Sequence, residues 1–190
     1  MPIRKKLLAL LLAAVLVCTM SLTTFAREAP DTSRKGSIQL TIRQGGTAVP
    51  GGSFTLYQVG ALQEEDGNYR FVLTEAFAGS KVSLEEVSSA QLANTLAAYA
   101  KDHKLSGTAK DVDKDGEIAF TGLELGLYLL VQHKAAKGYE TAAPFLVSVP
   151  MEEDGVLRYD VDASPKVELE KEPEPTSTTP PAPTDPRLPY

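Results

Sequence analysis

The sequence has no tryptophan, one cysteine and two histidines among its 190 residues. The cysteine, Cys18, lies in the apolar run of a predicted signal peptide, so the mature chain has no thiol with which to form a disulfide. With only His103 and His133, the sequence does not allow a serine–histidine–aspartate set or a paired-carboxylate arrangement to be assembled. We interpret both histidines as surface residues and expect neither enzyme activity nor a cofactor.

The first 26 residues have the features of a secretory signal peptide. Basic residues at 4–6 precede an apolar run at 7–20, which is too short for a permanent membrane anchor. Residues 24–26 provide small side chains at the two positions that a signal peptidase reads. We therefore expect cleavage after Ala26, with membrane contact only through precursor segments.

Removal of the signal peptide leaves an acidic chain. The full sequence has a formal net charge of -6, and the signal peptide contributes three positive charges and no negative ones, so the mature chain carries -9. Such acidity argues against nucleic acid and anionic membrane surfaces as partners. It is typical of an extracellular protein.

Composition divides the mature chain into three parts. Residues 27–35 are short and polar, and we expect them to be disordered. Residues 36–167 are predicted to form one domain. Residues 168–190 are acidic and rich in proline and threonine, and seven of the chain's thirteen prolines follow Lys166. Such a segment buries little apolar area and is expected to be an extended linker.

Alternation of apolar and polar residues dominates the domain and predicts β-strands. The predicted strands cover residues 37–43, 53–59, 69–73, 117–120, 127–133, 145–149 and 156–163. Asp-Gly steps at 66–67, 115–116 and 154–155 are strong turn signals beside these runs. The pattern predicts an all-β fold, a seven-stranded Ig-like β-sandwich.

One segment interrupts this pattern with helical spacing. Ser88 is placed to cap a helix, with Gln91 three residues later completing a capping box. The apolar residues that share one helical face are Leu92, Leu96 and Tyr99. We predict one inserted α-helix that lies across an edge or end of the sandwich and covers core residues.

Acidic residues alternate just before the fourth predicted strand. Asp111, Asp113 and Asp115, followed by Gly116, match the opening of an EF-hand calcium loop. The match fails at its twelfth position, which is Gly122 rather than a bidentate glutamate. We therefore predict a polar hairpin turn and no metal, and a calcium site is the alternative.

The stretch GLYLLVQHKAAKGYETAAPFLVSV, residues 126–149, contains a recognisable pattern. Its matching positions are Gly126, Tyr128, Leu130, Ala135, Gly138 and Tyr139. The stretch resembles the E-box region of prealbumin-like, collagen-adhesin B-type domains, which occur in Gram-positive pilins and LPxTG-type surface proteins. The resemblance covers most of residues 36–166 and implies a prealbumin-like sandwich.

Many domains of this family are stapled by an isopeptide bond between a lysine and an asparagine, promoted by a buried acid that shuttles protons. The resemblance places Gln132 at the position of the acid, Ile42 at that of the lysine and Ala163 at that of the asparagine. All three reacting groups are therefore missing. We predict that this chain forms no isopeptide bond.

The stretch LRYDVDASPK is similar to the pilin motif whose lysine attacks a sortase acyl-enzyme. Val161, Pro165 and Lys166 match the motif, whereas Leu157, Ala163 and Ser164 depart from it. The resemblance implies that Lys166 is a sortase acceptor. A solvated lysine at the end of the domain is the alternative.

The last three residues, Leu188, Pro189 and Tyr190, follow the linker directly. They resemble the first three positions of an LPxTG sorting signal, which a sortase cleaves after the threonine. We expect the chain to be truncated just before Thr-Gly.

These features together favour a structural cell-surface protein, either a minor or basal pilin subunit or a small wall-anchored surface protein. A sortase would join it covalently to other pilin subunits or to peptidoglycan, which places it on the cell wall of a Gram-positive bacterium. The alternative is a secreted adhesin or carbohydrate-binding module with a host or matrix ligand and no covalent anchoring.

Overall fold

Residues 29–164 and 169–171 are described by the structure, a computed structural model. They contain twelve strands and two helices. The strands are β1 (Gly36–Thr41), β2 (Arg43–Gln44), β3 (Thr47–Ala48), β4 (Ser53–Glu65), β5 (Asn68–Leu73), β6 (Thr108–Asp111), β7 (Glu117–Leu123), β8 (Gly126–Lys134), β9 (Phe145–Val149), β10 (Met151–Glu153), β11 (Val156–Arg158) and β12 (Asp160–Asp162). The helices are α1 (Glu75–Ala78) and α2 (Ala90–Asp102).

Two sheets form the predicted sandwich. The first has the order β12-β1-β7, with β12 parallel to β1 and β7 antiparallel to it. The second has the order β5-β4-β8-β9, and β6 lies along the first half of β4. The strands β2–β3 and β10–β11 form two further short hairpins. The all-β sandwich is therefore confirmed.

The number of strands is not the seven that the sequence predicted. Part of the difference arises at residues 156–163, which were expected to form one strand. The chain instead pairs back on β10 as β11, passes Tyr159, and then joins β1 as β12. Alternation predicts that a stretch is extended, but it does not predict that the stretch changes partners midway.

Both faces of the second sheet are buried. Its inner face packs against the first sheet and forms an inter-sheet core, which includes Ile38, Leu40, Phe54, Leu56, Phe120, Tyr128, Leu130, Val147 and Val149. Its outer face packs under the helices and forms an outer core, which includes Tyr57, Val59, Phe77, Ala93, Leu96, Leu127, Leu129 and Leu146. Leu129 and Leu130 are each fully buried on opposite faces, and such burial is worth about 1.5–3 kcal/mol per side chain.

The inserted helix lies across the outer face of the second sheet, so the prediction that it covers an edge or end is wrong. It contacts β8 and β9 through buried Ala93, Leu96 and Ala100. The predicted cap is also displaced by one residue, since the Ser89 hydroxyl, not that of Ser88, accepts a hydrogen bond from the Leu92 amide at 3.3 Å.

A second helix, α1, was not predicted, so the expectation of one inserted helix is wrong as well. It is only four residues long and buries Phe77, whose ring contacts both Tyr57 and Tyr99. A single turn with one large apolar residue, Phe77, leaves no helical periodicity in the sequence.

Residues 29–35 have defined contacts, unlike the disorder expected of them. The Asp31 amide donates to the Tyr159 hydroxyl at 2.7 Å, and the Arg34 guanidinium lies 4.2 Å from the centroid of the same ring. Lys35 forms an ion pair with Glu124. These contacts join residues that are about 90 or more positions apart in sequence. Local composition therefore could not predict them.

The described residues after the last strand also contact the domain. Leu169 packs against the inter-sheet core, and the Glu140 amide donates to the Glu170 carbonyl at 2.8 Å. Lys171 forms an isolated antiparallel bridge with Tyr139. The chain that leaves the domain is thereby held against the loop that follows β8. The expected boundary between residues 167 and 168 lies outside the described residues, as does the predicted signal peptide.

No helix within the described ranges is both long and apolar enough to cross a membrane.

Candidate functional site

The strand β8 carries the E-box pattern and lies at the centre of the second sheet. At its start, a Cβ atom on Gly126 would lie 2.3 Å from the Gly60 carbonyl oxygen, so only glycine fits this close approach. Tyr128 is buried, and its hydroxyl donates to the Glu124 carbonyl at 2.6 Å. Burial, assisted by the nearby Glu124 carboxylate, raises the pKa of Tyr128 and keeps the phenol neutral.

The position of the E-box acid is occupied by a buried amide that holds a loop. Gln132 is 7% exposed and lies on the same strand face as Tyr128 and Leu130. Its Oε1 atom accepts a hydrogen bond from the Ala142 amide at 2.6 Å. The side chain therefore fastens the chain between β8 and β9 to the end of β8.

Aliphatic side chains occupy the other two positions of the isopeptide arrangement. Ile42 is 3% exposed, and Ala163 is 1% exposed; both belong to the inter-sheet core. The Ala163 amide donates to the Gln39 carbonyl at 2.8 Å, so it lies beside the strand that leads into Ile42. Neither side chain carries an amine or an amide, and the absence of an isopeptide bond stays a prediction.

The acidic residues before β7 organise a turn. The Asp113 carboxylate accepts hydrogen bonds from the amides of Asp115 and Glu117, at 2.9 and 2.8 Å. Asp111 belongs to β6, and Asp115 forms an ion pair with Lys114 at 2.5 Å. Within residues 29–164 and 169–171, no three His, Cys, Asp or Glu side chains are grouped so as to hold a metal ion.

That turn is not the hairpin turn that the sequence predicted. The strand before it, β6, pairs with β4 of the second sheet, whereas β7 pairs with β1 of the first. The turn therefore carries the chain from one sheet to the other. An Asp-Gly turn sequence predicts that the chain reverses direction, but it does not predict which sheet the next strand joins.

The two histidines lie on different elements. His103 follows α2, and its ring lies 4.1 Å from the Tyr99 ring, centroid to centroid. His133 is exposed near the end of β8. In the described part of the chain, neither imidazole has a hydrogen bond to an acidic or hydroxyl side chain.

The end of the domain is fixed on both sides of the proposed acceptor. The Ser164 hydroxyl accepts a hydrogen bond from the Thr41 amide at 2.6 Å, and the Ser164 amide donates to Asp162 at 2.9 Å. Lys166 itself lies outside the described residues, and so do Leu188, Pro189 and Tyr190. After the gap, the contacts of residues 169–171 with the loop after β8 fix the chain again.

Sequence reasoning missed a cavity of about 400 Å³ between α2, the end of β8 and the loop at 141–144. Tyr57 and Lys101 are among the residues that line it. Its lining comes from four separate segments, and the sequence signal for it is the apolar run in β8, which requires a covered outer face.

Comparison with known proteins supplies the family. The model of the Gram-positive pilin subunit D1, N-terminal domain, matches residues 22–167. No curated protein sequence matches the chain.

Several solved pilins are similar to part of the chain. The full-length major pilin SpaD of Corynebacterium diphtheriae is 27% identical with a TM-score of 0.49, and the match covers 75% of this chain and 32% of that one. The major pilin SpaA of the same bacterium is 29% identical with a TM-score of 0.39, covering 68% and 30%. The T6 backbone pilin of Streptococcus pyogenes is 20% identical with a TM-score of 0.46, covering 68% and 28%.

The chain thus spans about a third of the length of these three pilins. The family model, in contrast, matches well over half of this chain. On that ground the chain belongs to the family of Gram-positive pilin subunits and carries their N-terminal D1 domain.

Proposed function

We propose that the chain is a structural pilus or cell-wall subunit that a sortase joins to its neighbours, with Lys166 as the acceptor. Members of this family are structural rather than enzymatic proteins, so the bond-forming chemistry belongs to a separate sortase. The neighbours would be other pilin subunits or peptidoglycan. The observation that carries the proposal is the match of a pilin D1 domain to residues 22–167, a range that ends one residue after Lys166.

The contacts on either side of Lys166 support the acceptor role. Ser164 is held by Thr41 and Asp162, and residues 169–171 are held by the loop after β8. Only residues 165–168 lie between these two fixed points. If these two anchors confine Lys166, the entropic cost of presenting its amine to a sortase acyl-enzyme is lowered.

The remaining parts of the proposal concern the ends of the chain. A signal peptide at residues 1–26 would export the protein, and residues 172–190 would form a spacer that ends in Leu188-Pro189-Tyr190 as the start of a sorting signal. The protein would then lie outside the cell on a Gram-positive wall. The subunit would be a minor or basal one, and family membership disfavours a freely secreted binding module.

The test is a sortase reaction with the purified mature chain and a peptide that carries an LPxTG sequence. We expect one adduct by intact mass, with the branch mapped to Lys166 by peptide sequencing. Lys166→Arg keeps the charge but removes the nucleophile, and should abolish the adduct. Lys171→Arg, five residues away, is the matched control and should leave it unchanged. Equal adduct formation by Lys166→Arg and the unmodified chain would show that the acceptor lies elsewhere.

A further inference from the structure

The cavity under the carboxyl half of α2 has apolar walls and a polar floor. Its walls are formed mainly by Ala97, Ala98, Ala100, Val131, Ala142 and Pro144. Its volume of about 400 Å³ is in the range of sites that hold small ligands or short peptide segments. Small side chains along one side of a helix do not by themselves make a binding site. The case for a ligand therefore depends on the polar groups that line the cavity.

Tyr57 supplies the polar group at the floor. The residue is only 8% exposed, and its ring packs edge-on against Phe77 at 6.3 Å. Among the described residues its hydroxyl has no hydrogen-bond partner, although it lines the cavity. Burial raises the pKa of Tyr57, so the phenol stays protonated and presents a donor. Because no side-chain nitrogen or oxygen among the described residues is both fully buried and without a partner, this hydroxyl is open to the cavity, where a ligand carbonyl can take the place of water.

The residues that line the cavity include one cation and no carboxylate. Lys101, His133 and Thr141 line it, and no aspartate or glutamate does. In a mature chain of net charge -9, this is a place where an acidic segment meets a cation rather than another carboxylate. The cavity therefore suits a segment that combines apolar rings, carbonyl acceptors and a carboxylate.

We propose that the cavity binds residues 180–185 of the chain's own linker, with the sequence PPAPTD. Pro180 and Pro183 have the PxxP spacing, which places both rings on one side of a polyproline II helix, where three residues make one turn. Their rings fill the alanine-lined walls, and a carbonyl of this stretch accepts from the Tyr57 hydroxyl. Asp185, just beyond, lies against Lys101.

The tether makes this segment the favoured occupant. Lys171 is bridged to Tyr139, two residues before Thr141 at the rim. Eight residues lie between Lys171 and Pro180, and the nine steps from one to the other reach up to roughly 28 Å at about 3.1 Å per residue. That length is enough for the chain to reverse direction and return to the cavity. A short tether also gives the segment an effective concentration in the millimolar range.

The experiment is NMR on the complete mature chain, with labelled alanine and valine methyl groups and backbone amides. In the unmodified chain we expect the Ala182 amide to relax at the rate of the domain. The double substitution Pro180→Ala with Pro183→Ala should shift the methyl signals of Ala97, Ala98 and Val131. The matched control, Pro173→Ala with Pro175→Ala, removes two linker prolines that lack the PxxP spacing and should leave those signals unchanged.

A second pair of variants tests the floor of the cavity. Tyr57→Phe keeps the ring and removes the donor, and Ala182 should then relax independently of the domain. Tyr69→Phe removes a phenol on β5 and should not affect Ala182. The proposal is wrong if both proline pairs shift the cavity signals equally or neither does. It is also wrong if occupancy depends on protein concentration, because the segment would then come from a second copy.

Discussion

At the scale of single residues, the E-box strand combines a backbone constraint with a polar contact. Gly126 allows the backbone of β8 to approach that of β4, and Gln132 fastens the following loop through Ala142. The family pattern in the sequence identified both positions. The role of Gln132 could not be predicted, because its partner lies ten residues away in a segment without regular structure. The same holds for Tyr159, whose hydroxyl contacts a residue 128 positions earlier.

Gln132→Glu tests whether an acid at this position is tolerated without its reaction partners. Since Ile42 and Ala163 provide neither amine nor amide, the variant should gain no isopeptide bond, and its intact mass should show no loss of ammonia. Burial should raise the pKa of the new carboxyl above its unfolded value of about 4.3. The folded state then holds a proton that the unfolded state releases, so the free energy of unfolding falls as the pH rises through this range.

The measurement is urea unfolding of Gln132→Glu between pH 4 and pH 8. We expect a stability close to that of the unmodified chain at pH 4 and a loss of about 1–3 kcal/mol at pH 7, at about 1.4 kcal/mol per unit of pKa shift. Gln63→Glu, exposed on β4 opposite Arg70, is the control and should show little change with pH. A variant whose loss of stability is the same at every pH would contradict this account.

At the scale of elements, α2 shows what periodicity does and does not predict. Helical spacing identified the helix, but the residues buried most deeply are Ala93, Leu96 and Ala100 rather than Leu92 and Tyr99. Small side chains are the ones that let a helix lie close to a sheet. The location was predictable in principle, because β8 reads as a continuous apolar run, and such runs occur where a strand is covered on both faces.

The cap of α2 provides a direct test of the structure against the sequence pattern. The Ser89 hydroxyl accepts from the Leu92 amide, so Ser89→Ala should lower the free energy of unfolding by about 1 kcal/mol. Ser88→Ala, one residue earlier, should change it by less than about 0.5 kcal/mol. Thermal or urea unfolding of both variants shows which serine caps the helix. A larger loss of stability for Ser88→Ala would place the helix start where the capping-box pattern predicted it.

The contact between the two helices gives a double-mutant test. A Cβ atom on Gly79 would lie 2.4 Å from the Tyr99 hydroxyl oxygen but 3.4 Å from the ring carbon that bears it. Gly79→Ala should therefore destabilise the fold by about 1–3 kcal/mol through overpacking. Tyr99→Phe removes the oxygen and should restore most of that loss in the double variant. Additive effects in a urea-unfolding cycle would mean that the two residues do not meet as described.

At the scale of the whole molecule, the sequence predicted the class of fold and the family. The features that it did not predict have a common cause. The sandwich follows from alternation and turn residues, both of which are local. The partner exchange near Tyr159, the turn from sheet to sheet at Asp113 and the contacts of residues 29–35 all depend on pairings between distant segments. Local patterns fix the conformation of a stretch, whereas packing of the two sheets and the helices decides its neighbours.

The proposed attachment points also bear on the prediction that the domain has no covalent staple. If Lys166 and the carboxyl end of the chain carry the joints, tension passes through the linker between them. In sequence, the β-sandwich, residues 36–164, precedes both of these joints. Ordinary packing of Ile42 and Ala163 in the inter-sheet core would then suffice, because the sandwich would bear little of the load.

The most direct test of the central claim is mass spectrometry of wall and pilus material digested from the source bacterium. The account predicts a branched peptide in which the Lys166 side-chain amine is joined by an amide bond to the carboxyl group of a threonine from a sorting signal. Recovery of the protein only from the culture medium, with Lys166 in linear peptides alone, would contradict it.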